Sequence, residues 1–411
     1  MSGAGTADGL PPFIGFAGLW RLDLSGMDMS RLGPLLEARL ARNAQDAAAM
    51  MDIATLSLLT LLPENRAPAF ALQTRALEIQ QVFTLPAARQ PTGIRILAFM
   101  SPGDMTAVTP LDCLVEDSDV ELQLLYARAD AEFPRDVPAH DVVFVAVGES
   151  GPNRPLLEKI AGFLEKSPKP VVNAPEYVLG LSRDRVSKAL SGIPGIVMPA
   201  TVIVGRTVLE GIGQGAVRLS QELPGGEFPV IARPVDSQGG KDLDKLDAPE
   251  AIRGYLERTD AGMFYISRFV DYSGQDGMFR KYRVVMIDGR PFACHMAISR
   301  HWMIHYVNAD MDQDQWKREE EARFMADFDA GFATPHAGAL KGIDEALGLD
   351  YYAIDCGETR DGKLVVFEAD TAMLVHAMDS VDLYPYKQRP MRKIFDAFRG
   401  MLEKRRAAPG Q

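Results

Sequence analysis

The chain has 411 residues, of which 47% are hydrophobic and 24% charged, so it is long enough for two or three globular domains with sizeable cores. Its formal net charge of −12 argues against a nucleic-acid backbone as the main partner, because proteins that bind one usually carry a basic surplus or a basic stripe. The three cysteines are widely spaced and odd in number, which fits neither a disulfide framework nor a zinc site and favours a reducing cytoplasm.

The first 90 residues are predicted to be helical. Apolar residues recur with a spacing near 3.6 over residues 35–40, 47–62 and 69–83. Two antiparallel helices are expected, and they carry no recognisable chemistry, which favours a packing role or a dimer interface. The N-terminus lacks the basic stretch and long apolar core of a signal peptide, and no apolar run of about 18 residues predicts a membrane span.

Residues 91–180 are predicted to form a parallel sheet with helices on its faces. Predicted strands alternate with predicted helices here, the strands at 94–99, 120–126, 141–147 and 171–173 and the helices at 111–115 and 155–164. Ligands of such sheets bind beyond the carboxyl ends of strands, so loops 101–106 and 148–153 are candidate substrate loops. Simple connections are an equal alternative. No GxGxxG follows the first strand, which disfavours a dinucleotide site.

The central part of the chain alternates strands and helices around a glycine-rich loop. Helices are predicted at 184–190, 249–257, 315–330 and 337–347, and strands at 200–204, 229–234, 264–270, 283–287 and 291–298. Arg233 ends one buried strand, and the loop after it contains Gly239 and Gly240. Backbone N–H groups of such a loop are suited to cover phosphates.

Residues 351–373 predict a hairpin with acidic residues at one end. Asp355 ends one apolar run, Glu368 and Asp370 end the next, and an Asp-Gly pair typical of tight turns lies between the runs. Because residues two apart in a strand share a face, Glu368 and Asp370 are expected on the same side. Hard cations such as Mg²⁺ prefer carboxylate oxygens. A surface hairpin with solvated acids is the alternative for this segment taken alone.

Taken in chain order, these features resemble the ATP-grasp superfamily, in particular the RimK-like and D-alanine–D-alanine-ligase-like carboxylate–amine ligases. The resemblance covers about residues 94–402. It implies an α/β protein in which the helical segment 1–90 precedes a Rossmann-like parallel-sheet pre-ATP-grasp domain at 91–180. Two α+β parts with antiparallel sheets then follow: an ATP-grasp small subdomain at 181–265 and a C-terminal subdomain for metal and substrate at 266–411.

The resemblance implies nucleotide contacts from five residues of the small subdomain and its hinge. Arg185 and Arg233 fall where the family usually has lysines, and a guanidinium keeps the charge while changing the geometry. A solvated helix charge is the alternative for Arg185. Gly239 and Gly240 fall in the loop that covers the phosphates, and Asp271 is the candidate for a ribose hydroxyl, or else caps a turn.

The same resemblance places the adenine hinge at residues 267–271, which implies contacts from Arg268, Phe269 and Val270. It further implies a catalytic role for Arg283, at the arginine that contacts the transferring phosphate, with a plain strand-face charge as the alternative. Lys281 stands where the family often has an acid.

The metal ligands implied by the resemblance are Asp355, Glu368 and Asp370, the last in place of the usual asparagine. Three histidines lie beside Arg300, which is the candidate for binding an acyl phosphate or a substrate carboxylate; the histidines are His295, His301 and His305. Zinc is disfavoured because no cysteine or carboxylate lies at ligand spacing beside them.

The resemblance therefore implies a cytoplasmic ligase that uses ATP and Mg²⁺. It joins a small-molecule carboxylate to an amine, an amino acid or peptide, through an acyl phosphate, without a nucleic-acid or membrane partner and with a homodimer left open. Two alternatives remain. One is an ATP-grasp kinase that phosphorylates a hydroxyl, and the other is a non-catalytic nucleotide-binding scaffold, which the two Lys-to-Arg changes favour and the three acids disfavour.

Overall fold

The computed structural model describes residues 11–24, 29–237, 239–305 and 308–407, apart from the side chains of residues 23–31. Gln238 of the predicted glycine loop lies outside the described residues. Residues 1–10 also lie outside them, and these residues include the start of the predicted helical segment and the stretch in which no signal peptide was expected. No helix in the described ranges is both long enough and apolar enough to span a bilayer.

The helices are α1 Gly15–Leu24, α2 Met29–Arg42, α3 Ala47–Leu59, α4 Pro63–Ile79, α5 Leu111–Leu114, α6 Arg154–Leu164, α7 Pro175–Val178, α8 Arg183–Leu190, α9 Arg206–Gly213, α10 Leu219–Glu222, α11 Ala251–Leu256, α12 Gln315–Ala326, α13 Ala337–Leu347 and α14 Gln388–Ala407. The strands are β1 Val82–Leu85, β2 Ile94–Met100, β3 Val120–Tyr126, β4 Val142–Val145, β5 Val171–Val172, β6 Ile196–Val197, β7 Thr201–Gly205, β8 Val230–Pro234, β9 Asp244–Leu246, β10 Met263–Arg268, β11 Phe279–Ile287, β12 Arg290–Ser299, β13 Tyr351–Glu358 and β14 Leu364–Asp370.

The chain forms two units, each built from separate stretches of sequence. The first unit consists of Met1–Val178, Thr371–Val381 and Met391–Gln411, and the second of Leu179–Asp370 and Asp382–Pro390. The mixed α/β class is confirmed, since each unit combines helices with sheets. The division into four segments predicted from the sequence stays a prediction.

The first unit contains a five-stranded sheet in the order β1-β3-β2-β4-β5. β2 pairs in parallel with β3 and β4, and β4 with β5, as the alternation of strands and helices predicted. The prediction of helix over 69–83 was wrong at its end, because α4 stops at Ile79 and β1 joins the sheet antiparallel to β3. Phe83 is fully buried against Phe13 and Tyr126, so tertiary packing outweighs the helical period of this segment.

Asp52, which is fully buried, and Asp112, which is half-buried, hold the beginning of α1. Asp52 accepts hydrogen bonds from the backbone N–H groups of Ile14 and Gly15 at 3.0 and 3.1 Å, and Asp112 accepts from that of Ala17 at 2.7 Å. Carboxylates suit a helix N-terminus, whose first N–H groups have no partner within the helix. Burial nevertheless dominates and raises the pKa of Asp52 to about 7, although both N–H groups lower it.

The second unit contains two sheets. A four-stranded sheet, β7-β10-β8-β9, is antiparallel throughout and carries a core that includes Leu209 of α9, Ile252 of α11 and Phe264. A five-stranded sheet, β12-β11-β13-β14-β6, is antiparallel except for the short pairing of β14 with β6. These antiparallel sheets confirm the predicted α+β character of this part of the chain.

One predicted helix of the second unit is shorter than expected. The sequence predicted a helix over 315–330, but α12 ends at Ala326 and a π-helical segment, Phe328–Ala333, follows it. This wider turn brings the Phe328 and Phe332 rings into a stacked contact with 5.5 Å between their centroids. Aromatic packing therefore decides the local geometry, which the apolar period alone does not encode.

Candidate functional site

The hairpin of β13 and β14 places three carboxylates on one face of the larger sheet. Asp355 lies opposite Glu368, and Ala353 lies opposite Asp370. Directly opposed residues of an antiparallel pair share a face, as do residues two apart in one strand. A β-bulge follows between Asp355 and Cys356, beyond the three acids, so it does not turn them apart. The predicted acidic end of the hairpin is thus confirmed in its backbone register.

Asp355 is held by two cations from the neighbouring strand β11. Arg283 lies opposite Asp355 and donates from Nε to Oδ1 at 2.8 Å and from Nη2 to Oδ2 at 3.0 Å. Lys281 donates from Nζ to Oδ2 at 2.9 Å. Burial alone raises the pKa of Asp355, but Arg283 and then Lys281 outweigh it and hold that pKa far below its ordinary range. Asp355 is therefore a carboxylate paired with two charges.

Arg183, which the sequence analysis did not select, contacts the second acid. Its guanidinium bonds to Oε1 of Glu368. The selected Arg185 is exposed and donates to the Leu179 carbonyl at 2.8 Å, so the structure does not bring it to the acids. Successive residues of a helix point about 100° apart, so positions 183 and 185 face different directions. The guanidinium that contacts Glu368 therefore comes from Arg183 of α8, two residues before Arg185, and a nucleotide contact from Arg185 stays a prediction.

Arg233 lies near Arg183 and supports the glycine-rich loop. From the end of β8, its Nε donates to Oγ of Ser237 at 3.2 Å, and its Nη2 donates to the Ser237 carbonyl. Burial, and after it the positive charge of Arg183, lower the pKa of Arg233 to about 10, while Glu368 opposes the shift. Arg233 thus stays charged at neutral pH and lies where a negative ligand would relieve the repulsion between two guanidinium groups.

The glycine-rich loop requires glycine at both selected positions. Gly239 and Gly240 have φ of +63° and +72°, a region that residues with a side chain rarely adopt. A Cβ on Gly240 would lie 2.9 Å from Nε2 of His305, whereas a Cβ on Gly239 would meet open space. Burial, and then the charge of Lys281, lower the pKa of His305 and keep its ring neutral. The loop therefore lies against a neutral imidazole that faces the Lys281–Asp355 pair.

One backbone group of the predicted hinge, residues 267–271, is hydrogen-bonded to the residue that precedes β8. The backbone N–H of Phe269 donates to the Pro229 carbonyl at 3.0 Å, while the Arg268 side chain is exposed and Val270 is half-buried. Asp271 accepts from the backbone N–H of Ser273 at 2.9 Å and so caps a turn, the alternative that the sequence left open. The Phe269 ring lies 4.6 Å from Nζ of Lys245 and edge-on to Trp302.

The histidines and Arg300 do not gather into one group. His295 lies on β12 opposite Arg283, and burial, followed by that arginine, lowers its pKa well below the ordinary value. His301 is exposed and accepts from the Met303 backbone N–H at 3.2 Å, and Arg300 is exposed just past the end of β12. His295 and His305 are therefore the two histidines that adjoin the Asp355 pair.

The acidic end of the hairpin fits a divalent ion only in part. Across the described ranges, no three His, Cys, Asp or Glu side chains are arranged to hold a metal ion. Both oxygens of Asp355 accept bonds from cations, whereas Glu368 keeps 27% of its side chain exposed and shares a face with Asp370. Oxygens of this kind are the ligands that Mg²⁺ prefers. Glu368, which Arg183 also contacts, and Asp370 are therefore the carboxylates that fit a divalent ion, whereas both oxygens of Asp355 already bond Lys281 and Arg283.

The candidate substrate loop 148–153 is hydrogen-bonded to Ala107, the residue that directly follows the other candidate loop, 101–106. The backbone N–H of Gly148 donates to the Ala107 carbonyl at 2.9 Å, and Asn153 Nδ2 donates to the Gly148 carbonyl at 2.9 Å. Thr109 Oγ1 donates to the Thr371 carbonyl at 3.0 Å. The loops thus meet at the carboxyl ends of β2 and β4, and their role in binding substrate stays a prediction.

No protein-family model and no curated protein matches the chain. The solved structures that are similar to it include the following two. One is the crystal structure of a RimK domain protein ATP-grasp from Sphaerobacter thermophilus DSM 20745, with a TM-score of 0.43 and 16% identity over 76% of this chain and 100% of that chain. The other is the crystal structure of VanG D-Ala:D-Ser ligase from Enterococcus faecalis, with a TM-score of 0.45 and 15% identity over 75% of this chain and 99% of that chain. Both identities are below 25%, so these likenesses concern the fold and assign neither an activity nor a residue role to this chain.

Proposed function

We propose that the chain is an ATP-dependent ligase that joins a carboxylate to an amine through an acyl phosphate. The observation that carries the proposal is the convergence, within the second unit, of a glycine-rich loop and several guanidinium groups on three carboxylates that share one sheet face. Guanidinium forks match phosphate oxygens, and positive-φ glycines expose backbone N–H groups to them. A polyphosphate is the ligand that this combination suits best.

Under this proposal the nucleotide lies between the two sheets of the second unit. Arg233 and Arg183 bind the inner phosphates, and Gly239 and Gly240 cover them. The hinge residues, Arg268 to Asp271, lie along the base and ribose, with the Phe269 ring as the apolar surface. Arg185, exposed on the other face of α8, has the weakest support among the predicted nucleotide contacts.

The proposed reaction has two steps. A carboxylate oxygen of the first substrate attacks the γ-phosphorus of ATP, the bond to the bridging oxygen breaks, and ADP leaves with the electron pair. The nitrogen of the second substrate then attacks the acyl carbon, expels phosphate, loses a proton and leaves an amide. Arg283, whose guanidinium is oriented by two hydrogen bonds to Asp355, offsets charge on the transferring phosphoryl group. Arg300 binds the substrate carboxylate.

Magnesium would enter with ATP and be held by Glu368 and Asp370, where it would supply positive charge beside the phosphate oxygens. The protein's own contribution is mostly position and charge, since phosphoryl transfer needs little covalent help. His295 and His305, both held neutral beside the Asp355 pair, add no further charge to the site.

Non-catalytic nucleotide binding is the second candidate, and the engagement of Asp355 by Lys281 and Arg283 favours it. A kinase that phosphorylates a hydroxyl has no observation of its own to support it, although the same site would serve it.

One experiment separates the three. The purified protein is incubated with Mg·ATP and with pools of carboxylates and amines, and ADP and free phosphate are measured. A ligase releases both, only when an acid and an amine are present together, whereas a kinase releases ADP without free phosphate. Binding of Mg·ATP by calorimetry without turnover identifies a scaffold. No binding and no turnover with any pool contradicts the proposal.

A further inference from the structure

Lys281, Arg283 and Asp355 form a buried ion triad. The side chains of Lys281 and Asp355 are only 13% and 7% exposed, and that of Arg283 is 17% exposed. Three donor–acceptor distances between 2.8 and 3.0 Å join the two cations to both oxygens of the carboxylate. A carboxylate taken out of water needs such partners, because an uncompensated buried charge is strongly destabilising.

The triad is built by strand register. Arg283 lies directly opposite Asp355 across β11 and β13, and Lys281 lies two residues before Arg283 and therefore on the same face. Glu368 lies on the far side of Asp355, opposite it on β14. Lys281 thus belongs to the same sheet face as the carboxylates predicted to hold metal, and its ammonium bonds one of them.

The charges around this face already favour anions. Four cations, Arg183, Arg233, Lys281 and Arg283, lie near the Asp355–Glu368 pair, which shares its sheet face with Asp370. The charge of Lys281 also acts on His305, which lies against Gly240 of the glycine-rich loop. A divalent ion at Asp355 would lie beside an ammonium and a guanidinium, whose repulsion opposes its binding.

We propose that Lys281 is a resident cation of the nucleotide site, with its ammonium in the place that a divalent ion would take on Asp355. Asp355 then positions Lys281 and Arg283 and ligates no metal, and the site takes nucleotide phosphates with at most one divalent ion, held by Glu368 and Asp370. This inference rests on the proposed function insofar as the ligand is a nucleotide.

The first test needs no nucleotide. Full-length protein is titrated with Mn²⁺ and the bound ion is counted by electron paramagnetic resonance, for the unaltered protein and for Lys281→Met and Lys281→Gln. Lys363→Met is the matched control, because Lys363 also pairs with an aspartate of the same hairpin region, Asp361 at 2.7 Å, but half of its side chain is exposed. Circular dichroism verifies that each variant is folded.

We expect the unaltered protein and the control to bind at most one Mn²⁺, and the two Lys281 variants to bind one more. Adding Asp355→Asn to Lys281→Met should remove the additional ion, because it removes the carboxylate whose second charge partner, Lys281, has been taken away. An unaltered protein that already binds two ions, or folded Lys281 variants that bind no more than it does, overturns the proposal.

The second test measures affinity for β,γ-imido-ATP by calorimetry with Mg²⁺ and then with a chelator. Removal of Mg²⁺ should weaken binding at least about tenfold more in Lys281→Met than in the unaltered protein or in Lys363→Met. Equal weakening in all three contradicts the proposal. If no variant binds the nucleotide at all, the proposed function fails, and the Mn²⁺ titration still decides the role of Lys281.

Discussion

Arg233 is held to the glycine-rich loop by two bonds to Ser237. Replacing it by methionine removes a charged donor while keeping most of the apolar volume. Since a hydrogen bond to a charged group contributes about 1.5–3 kcal/mol, we expect nucleotide affinity to fall by about 10- to 100-fold. Calorimetry measures this change.

Arg258→Met is the control for this prediction, because Arg258 also pairs with an acid, Asp244, but 63% of its side chain is exposed. Arg233→Lys should lie between the two, since the charge stays and the fork is lost. A methionine variant with unchanged affinity would show that Arg233 supports the loop without binding phosphate.

Asp52, in the first unit, is a second residue whose surroundings change its pKa strongly. Its pKa is raised from 3.8 to about 7, chiefly by burial. Its folded form therefore binds a proton that the unfolded chain releases, and stability falls as pH rises from about 4 to about 7. The loss amounts to about 4 kcal/mol over that window. Asp112, whose pKa is also raised by burial, acts in the same direction.

Asp52→Asn should flatten this dependence, because an amide carries no charge and still offers one acceptor oxygen to the start of α1. Thermal unfolding at several pH values from 4 to 8 measures the slope. Asp260→Asn, at an exposed position of the second unit, should leave the slope of the unaltered protein in place. Equal slopes for all three proteins would show that Asp52 does not titrate in this range.

The individual site residues were predictable to different degrees. Asp355, Glu368 and Asp370 end apolar runs on a hairpin, so register alone places them together. The ion pairs of Asp355 were not predictable, because Lys281 and Arg283 contact it only when β11 and β13, which are far apart in the sequence, pair with each other. Arg183 was missed for a related reason. The side of α8 that faces the acids depends on the elements against which the helix packs, and these are not evident from its own sequence.

Among the elements, the β13–β14 hairpin was predicted best. The Asp361-Gly362 turn forms as expected, with Gly362 at φ +75°. A Cβ at Gly362 would come no closer than 4.0 Å to another residue, so only the backbone opposes a side chain there. Gly362→Ala should therefore lower the free energy of unfolding of the second unit by about 1–2 kcal/mol.

Gly254→Ala is the matched substitution in the same unit. Gly254 lies inside α11, and a Cβ there would meet open space. Alanine should raise the unfolding free energy by about 0.5–1 kcal/mol, because glycine loses more conformational freedom in a helix. Urea denaturation measures both variants, and a change of the same sign in the two would contradict this account of the turn.

Elements that depend on distant partners were predicted less well. β1 was taken as helix because its apolar spacing continues that of α4, and only pairing with β3 makes it a strand. The π-helical segment after α12 depends on aromatic contacts among Phe324, Phe328 and Phe332. Neither the pairing nor the ring contacts are encoded in a local period.

At the scale of the whole molecule, the chain leaves and re-enters each unit. The first unit begins with the N-terminal helices, resumes at Thr371 and ends with the residues from Met391 onward, most of which form α14. The sequence predicted one C-terminal part for all residues after 265, and that division stays a prediction. Local sequence patterns do not predict that the chain re-enters the first unit, because this depends on the apolar surface against which α14 packs.

The first unit should therefore depend on a residue near the far end of the chain. Phe398 of α14 is fully buried, and its ring lies 5.9 Å from that of Phe144, which is fully buried in β4. Phe398→Ala should lower the unfolding free energy of this unit by about 3–5 kcal/mol, through lost burial and the cavity left behind.

Asp396→Ala, on the exposed face of the same helix, should change it by no more than about 0.5 kcal/mol. Hydrogen exchange measures the effect, because amides of β2 and β4 should exchange faster in Phe398→Ala while those of β13 in the second unit keep their protection. Unchanged exchange in β2 and β4 would mean that the sheet holds its stability without α14, and the division of the chain into these two units would then be wrong for its last helix.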